Sequence, residues 1–302
     1  LPEFDLLSRG DGLALVWLSA RTIEGGFDGI MVQGLTAAGA VDGEPAMLQG
    51  TFDVEAVSAA WVPQGQGMVV YTRGRQGAGG VFAQPISTTG ALTEAPVQLS
   101  AAASVSPAVA AGDEGTWGVA WLDRSSENPG DLLFQVVDDF GEPFDDANRQ
   151  ADAGAQGEVE LAFGRGTYAV GWARVDGLGT MTTLVTLYDT AGDVLASPII
   201  DGPQGFGTVT DVAWLEPDTF GIAWQDYDDG RVTVGLTRVT TRGQVTEPLR
   251  LPIEAGHHQR GLVVTGSAAM VTVFVANDPM PPRESGFSTE ARLMSGPLGP
   301  CR

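Results

Sequence analysis

Seven arginines, one pair of histidines and a run of aspartates are the residues of this 302-residue chain best suited to chemistry. Arg21, Arg73, Arg75, Arg124, Arg174, Arg231 and Arg283 all fall in six segments rich in Gly, Asp and Pro: LSARTIEGGFDG, TRGRQGAGG, LDRSSENPGD, ARVDGLGT, QDYDDGR and ANDPMPPRESG. Together these hold 57 residues, under a fifth of the chain, yet nearly half of its 16 basic residues. A guanidinium is planar and offers paired donors, so an arginine-lined face suits an acidic sugar or an acidic peptide. The same segments carry eleven acidic residues, which leaves mutual pairing on a polar rim as the competing account. Arg73 and Arg174 lie two residues beyond an aromatic residue and Arg124 three beyond one, positions near strand ends where a side chain is held better than at a loop tip. Asp123 and Asp226 stand beside this set as orienting carboxylates, and Tyr227 is the one tyrosine in such a segment.

His257 and His258 are the only histidines, and they fall between two repeats on the same side as the arginine segments. With Asp228 and Asp278 they offer ligand types that zinc and calcium accept. Adjacent histidines rarely reach one ion together, and DYDDG lacks the spacing of a full calcium loop. No cofactor is therefore expected, calcium being the one ion the acidic segments would admit. Enzyme signatures are equally thin: there is no G-x-S-x-G, no H-E-x-x-H and no Walker sequence. AGDEGTW (111–117) approaches the Asp-box of sialidases, S-x-D-x-G-x-T-W, but lacks a spacer residue and falls after a first strand instead of a third. A sialidase also needs an arginine triad and a tyrosine nucleophile with an acidic partner. Of Tyr71, Tyr168, Tyr188 and Tyr227, the pattern places the first three on strands.

The elements that position these residues repeat. The segments LALVW, GMVVY, WGVAW, YAVGW, FGIAW and MVTVF end in Trp17, Tyr71, Trp121, Trp172, Trp224 and Phe274, spaced by 54, 50, 51, 52 and 50 residues. A second strand-like segment after each of the first five ends in Gly39, Gly90, Gly141, Gly192 or Gly243, at intervals of 51. Each period divides into four short strands bounded by Gly, Pro and Asp, with no helical periodicity, which predicts an all-β array of four-stranded units. Units of this length match the blades of a β-propeller, so six copies predict six blades in one domain over 1–302, with repeats near 1–50, 51–103, 104–155, 156–205, 206–256 and 257–302. After FSTEARLM the last repeat has too little chain for a full fourth strand and is expected to be incomplete. Strand alternation puts Trp117, Val119 and Trp121 on one face and Gly118 and Ala120 on the other. A bulky face opposite a bare one is what face-to-face packing of successive sheets requires, so these aromatics are expected in the core and the glycines in turns with positive φ.

In its strand pattern the chain resembles bacterial exported propeller repeats that read roughly P-x-V-A, then V-V-W, then I-x-A-Q, a glycine turn and a proline-led last strand. The copy nearest to that pattern is AAWVPQGQGMVVYTRGRQGAGGVFAQPISTTGALTEAPVQLS, residues 59–100. The resemblance spans essentially the whole chain and implies a fold and an extracellular, periplasmic or cell-surface location. Its motif is one of packing and transfers no catalytic residue.

Composition narrows the partners. With 38 acidic residues, 16 arginines and no lysine, the formal net charge is −22, which disfavours binding to a phosphate backbone. No apolar run approaches a membrane-spanning length, and the single Cys301 has no intrachain partner. The chain begins Leu1-Pro2-Glu3-Phe4 without a basic and apolar leader. These observations favour a non-catalytic recognition or scaffold module for a protein or glycan, bound on the face of the long connections. A hydrolase of acidic glycans acting on the same face is the alternative.

Overall fold

The computed structural model describes residues 4–9, 12–19, 29–48, 53–62, 65–74, 79–87, 91–101, 103–124, 130–145, 149–176, 178–205, 208–215, 217–228, 231–250, 257–267, 270–279 and 290–296. Side chains are described for most of these up to residue 250, and only the backbone from 257 onward. Every regular element among them is a β-strand, and no helix among them is long and apolar enough to cross a membrane. The chain forms two compact units, Leu1–Ala153 and Gly154–Arg302.

In the first unit, β1 (Phe4–Arg9), β2 (Gly12–Leu18), β3 (Ile30–Thr36) and β4 (Val41–Met47) form a four-stranded sheet in chain order, and β5 (Val54–Trp61), β6 (Gly67–Arg73), β7 (Gly80–Ile86) and β8 (Val97–Ser100) form a second. Next come β9 (Ser104–Ala111), β10 (Trp117–Asp123) and β11 (Gly130–Val137), again antiparallel neighbours. The long β12 (Arg149–Gly164) pairs with β13 (Thr167–Val175) in the second unit, followed by β14 (Met181–Asp189), to which both β15 (Val194–Ala196) and β16 (Ile199–Gly205) pair. A further four-stranded sheet holds β17 (Thr208–Trp214), β18 (Thr219–Asp228), β19 (Arg231–Thr240) and β20 (Leu249–Arg250). The last, of β21 (His257–Ser267), β22 (Met270–Pro279) and β23 (Glu290–Gly296), has three strands.

The alternation of bulk along second strands is resolved into two interfaces per strand. In β6, Val69 and Tyr71 join Ala14, Val16 and Leu18 of β2 in one buried cluster. The intervening Met68 and Val70 join Trp117, Val119 and Trp121 of β10 in the next. In the second unit, Phe220, Ile222 and Trp224 of β18 pack with Ala169, Val185 and Leu187 of the preceding sheet. Trp121 and Trp224 are fully buried and Trp172 nearly so, its indole N–H donating to Thr186 Oγ1 at 2.9 Å. Trp17 departs from the expectation: it is half-buried, as are Leu13 and Leu15 on its face. Phe274 holds its place in β22, its side chain outside the described set.

First strands of neighbouring sheets are tied directly to one another. The Ala59 N–H of β5 donates to Asp5 Oδ2 of β1 at 2.7 Å, and the Val109 N–H of β9 donates to Ser58 Oγ of β5 at 3.3 Å. Burial pushes the Asp5 carboxyl above its ordinary pKa, opposed by the bonds from Ala59 and the Ser58 hydroxyl.

The turns after third strands repeat one design. Residues 36, 87, 138, 189 and 240 are Thr, Ser, Asp, Asp and Thr, again at intervals of 51. In the third copy, Asp138 Oδ1 accepts from Phe140 N and Glu142 N, while Gly141 N donates to the Asp138 carbonyl. Asp189 and Thr240 repeat this, with Gly192 and Gly243 in the glycine position. Gly39, Gly141, Gly192 and Gly243 have φ between 79° and 85°, the left-handed conformation that a three-residue hairpin loop ending in a glycine bulge demands. Gly90 lies outside the described residues. Fourth strands vary in length: β4 has seven residues, β8 four, β15 three and β20 two. Each lies at the edge of its sheet.

Two substitutions test the packing. Trp121→Ala is expected to cost about 3–5 kcal/mol in chemical denaturation, the range for truncating a buried large aromatic side chain. Gly235 pairs with Trp224 in register, and a methyl group there would collide with the indole. Gly235→Ala should therefore cost about 1–3 kcal/mol, whereas the same change at Gly166, whose side is open but whose φ is +72°, should show only the smaller strain of that backbone conformation.

Candidate functional site

Of the arginines singled out by the sequence, Arg73, Arg124 and Arg174 lie at or next to the ends of second strands, and Arg231 opens β19. Arg73 is the last residue of β6, between Val54 of β5 and Gly80 of β7. Its guanidinium carbon lies 5.4 Å from the centroid of the Phe82 ring, which itself stacks on Tyr71 at 5.6 Å. That cation–π contact holds a half-buried guanidinium at the end of the sheet. Asp123 closes β10 in register with Asp131 and Ser104. Arg124 follows it, exposed, its N–H donating to the Ala103 carbonyl at 2.7 Å. Asp123 thus occupies on β10 the place that Arg73 occupies on β6, and Arg124 lies one residue further on, where the second sheet has Gly74.

In the second unit, Arg174 is a strand residue of β13, half-buried and in register with Ala155 and Thr182. The connection that follows it is a built turn. Asp176 Oδ1 accepts from Leu178 N at 2.8 Å and Thr180 N at 2.9 Å, Gly179 N donates to the Asp176 carbonyl, and Gly179 has φ 81°. The bonds from Thr180 and Leu178 hold the Asp176 carboxyl below its ordinary pKa, with the Arg174 charge adding a smaller pull. ARVDGLGT is therefore the same capped design as the third-strand turns, and it presents Arg174 from a rigid edge.

Two expectations are corrected. Asp226, Tyr227 and Asp228 belong to no loop: β18 continues through Asp228, in register with Thr233, Val232 and Arg231 of β19. Continued pairing satisfies backbone groups that a loop would leave to solvent. Only Asp229 and Gly230 separate the strands, and an Asp-Gly pair is the sequence signal of a two-residue hairpin. His257 and His258 likewise open β21 instead of lying in a connection, His258 in register with Asp278 and His257 with Pro279. Among the described residues no group of three or more His, Cys, Asp or Glu is placed to hold a metal. The side chains of Tyr227, Asp226, Asp228, His257, His258 and Asp278 fall outside the described set, as do Arg21, Arg75 and Arg283 altogether.

AGDEGTW has a folding role. Gly112 N donates to the Thr116 carbonyl, Thr116 N and Oγ1 both donate to the Asp113 carbonyl, and Glu114 and Gly115 take positive φ. Trp117 is fully buried and gives its indole N–H to Asp139 Oδ1 at 3.1 Å.

Sequence reasoning passed over one recurring polar position. Gln33, Gln84 and Gln135, 51 apart, are buried on third strands. Each Nε2 donates across to carbonyls beyond the turn: Asp42 and Gly43, Glu94, and Asp145 respectively. Thr237 takes the place in the fifth repeat, its hydroxyl bonding the Thr246 carbonyl at 2.9 Å. The identical spacing was the available signal; the glutamine of the I-x-A-Q pattern pins the start of the outer strand.

An all-β chain of successive antiparallel sheets, first strands joined to first strands, is the architecture of a β-propeller. No family model and no curated protein matches the sequence. Solved structures do match in fold. A neuraminidase-like protein from A/bat/Guatemala/164/2009 aligns at TM-score 0.60 with 10% identity, covering 100% of this chain and 90% of that one. A subtype N10 neuraminidase-like protein of A/little yellow-shouldered bat/Guatemala/060/2010 aligns at 0.57 with 11% identity, over 100% and 95%. A subtype N11 neuraminidase-like protein of A/flat-faced bat/Peru/033/2010 aligns at 0.54 with 9% identity, over 98% and 86%. At such identity the likeness is one of fold: this chain has the fold of the neuraminidase-like propellers.

Because the Asp176 carboxyl is depressed, its charge stabilises the fold above the ordinary carboxylate range, and that contribution is lost as pH falls through the lowered value. The Tm difference between wild type and Asp176→Asn is expected to be largest near neutral pH and to close at acid pH. A difference that does not change with pH would remove the charged cap from the account of this edge.

Proposed function

We propose that this chain is a six-bladed β-propeller, its last blade three-stranded, that serves as a non-catalytic recognition or scaffold module for a protein or acidic glycan. It would work outside the cytoplasm, as the resemblance to bacterial exported repeats implies. Six copies of the sequence period and the division of its strands into successive antiparallel sheets support the blade count.

The observation that carries the binding role is Arg73, half-buried at a strand end with its guanidinium laid over Phe82. A guanidinium already fixed by a ring loses little freedom on meeting a carboxylate or sulfate. Arg174, also two residues beyond its strand's aromatic, holds the comparable place on β13 beside a capped turn, and Arg124 follows the end of β10 in solvent. Such groups suit recognition of an anion.

The hydrolase reading has less support. Tyr71, Tyr168 and Tyr188 are fully buried in the core. Burial pushes the Tyr71 phenol up to about 12 and Tyr188 further in the same direction, away from the phenolate a nucleophile requires. Tyr227 is the one tyrosine left for that role, on the strand end of β18.

Isothermal titration of the Arg73→Ala/Arg174→Ala double variant against sulfated and carboxylated oligosaccharides tests the proposal. Wild type is expected to bind with an affinity that falls as salt rises, and the folded double variant to lose about tenfold or more. Equal affinity of the two proteins would refute the arginine site, and turnover of a fluorogenic acidic glycoside, abolished in Tyr227→Phe, would favour the hydrolase.

A further inference from the structure

The five segments following third strands read TAAGAVDGE (36–44), STTGALTEA (87–95), DDFGEPFDD (138–146), DTAGDVLAS (189–197) and TTRGQVTEP (240–248). Turn geometry asks only for a capping oxygen at the first position and glycine at the fourth. The third copy adds two aromatics. Phe140 is 58% exposed and Phe144 64% exposed, where the other copies carry Ala, Thr, Ala and Arg at the first of these places and Asp, Thr, Leu and Thr at the second. With most of each ring in solvent, burial of these side chains contributes little to folding.

Five carboxylates share this nine-residue stretch, and it contains no basic residue. Asp138 is occupied in capping the turn and Asp139 in accepting from Trp117. Glu142 is exposed. The backbone is pinned along its length: Phe140 N and Glu142 N donate to Asp138, Phe144 N donates to the Val136 carbonyl at 3.2 Å, and Gln66 and Gln135 hold the Asp139 and Asp145 carbonyls at 2.9 Å. Two exposed rings on a fixed backbone present apolar surface with little ordering left to lose on binding.

We propose that the 138–145 turn is a docking patch for a cationic, apolar segment of a partner protein, whose arginines lie on the Phe140 and Phe144 rings and pair with Glu142. An arginine satisfies a ring face and a carboxylate together. A second copy of this chain is a poor occupant, because a protein of net charge −22 meets an acidic patch with like charge. The patch lies at the opposite end of β10 and β11 from Arg124, so it is separate from the arginine edge and both can be occupied at once.

Fluorescence anisotropy of the full chain with a labelled peptide of alternating arginine and leucine tests the patch, beside an arginine–serine peptide of equal charge. Phe140→Ser/Phe144→Ser keeps every charge and should leave Tm unchanged while weakening the arginine–leucine peptide by about tenfold or more, as loss of two aromatic anchors does. Val41→Ser/Met47→Ser, at exposed apolar residues elsewhere, should change nothing, and the arginine–serine peptide should bind weakly and equally to all three proteins. Equal binding of the arginine–leucine peptide to wild type and Phe140→Ser/Phe144→Ser would show attraction by bulk charge and overturn the proposal, as would no binding at all. Sedimentation showing a wild-type dimer that Phe140→Ser/Phe144→Ser dissolves would assign the patch to a second copy and overturn it equally.

Discussion

A sheet that must bury both faces against other sheets needs neighbours shaped to it, and here the shape is large side chains laid against small ones. Val69 and Tyr71 fill toward Ala14 and Val16, while Met68 and Val70 on the same strand meet Trp117, Val119 and Trp121. Interior packing density is reached only if bulk on one face is matched by its absence on the next. Gly171 of β13 against Val209 and Val212 of β17 is where that matching leaves no room for a methyl group. The period near 51 residues is the sequence record of this requirement, since each copy must present the same pair of surfaces.

Given that packing, the connections have one task, which is to return the chain without spoiling the sheets. The third-strand turns accomplish it with a side-chain oxygen capping two N–H groups and a glycine at positive φ, and the Asp176 turn does the same at the other end of a sheet. The buried glutamines add a second tie, carrying carbonyls of the outer segment. Connections built this way are rigid. Residues displayed beside them, Arg174 at one end and Phe140 and Phe144 at the other, are held in place by main-chain bonding that does not depend on any ligand.

The neuraminidase-like neighbours share this scaffold and about a tenth of its residues. Fold alone carries no chemistry, so function here rests on individual groups. Burial makes three tyrosines structural, and a ring contact makes Arg73 a fixed cation. Both facts come from where a side chain lies and not from its type.

The repeat, its all-β character, the division of bulky from bare faces and the glycine turns were all legible in the sequence. Each is a local, one-dimensional property: strand alternation and left-handed glycines depend on residues within a few positions of one another. What tertiary structure alone decided is how far pairing runs and what covers each face. Strands β18 and β21 extend over residues that composition marks as loop, because an available partner strand outweighs the local preference of Asp and Gly for turns. Trp17 is half-buried although Tyr71, Trp121, Trp172 and Trp224 at the same place are in the core, and Phe140 and Phe144 stand in solvent although their type favours burial. The Arg73–Phe82 contact joins two strands nine residues apart in the chain. Coverage is set by neighbours distant in sequence and is fixed only when the sheets come together, whereas pairing length and the Arg73–Phe82 contact are set by the partner strand of a hairpin and are fixed when that hairpin closes.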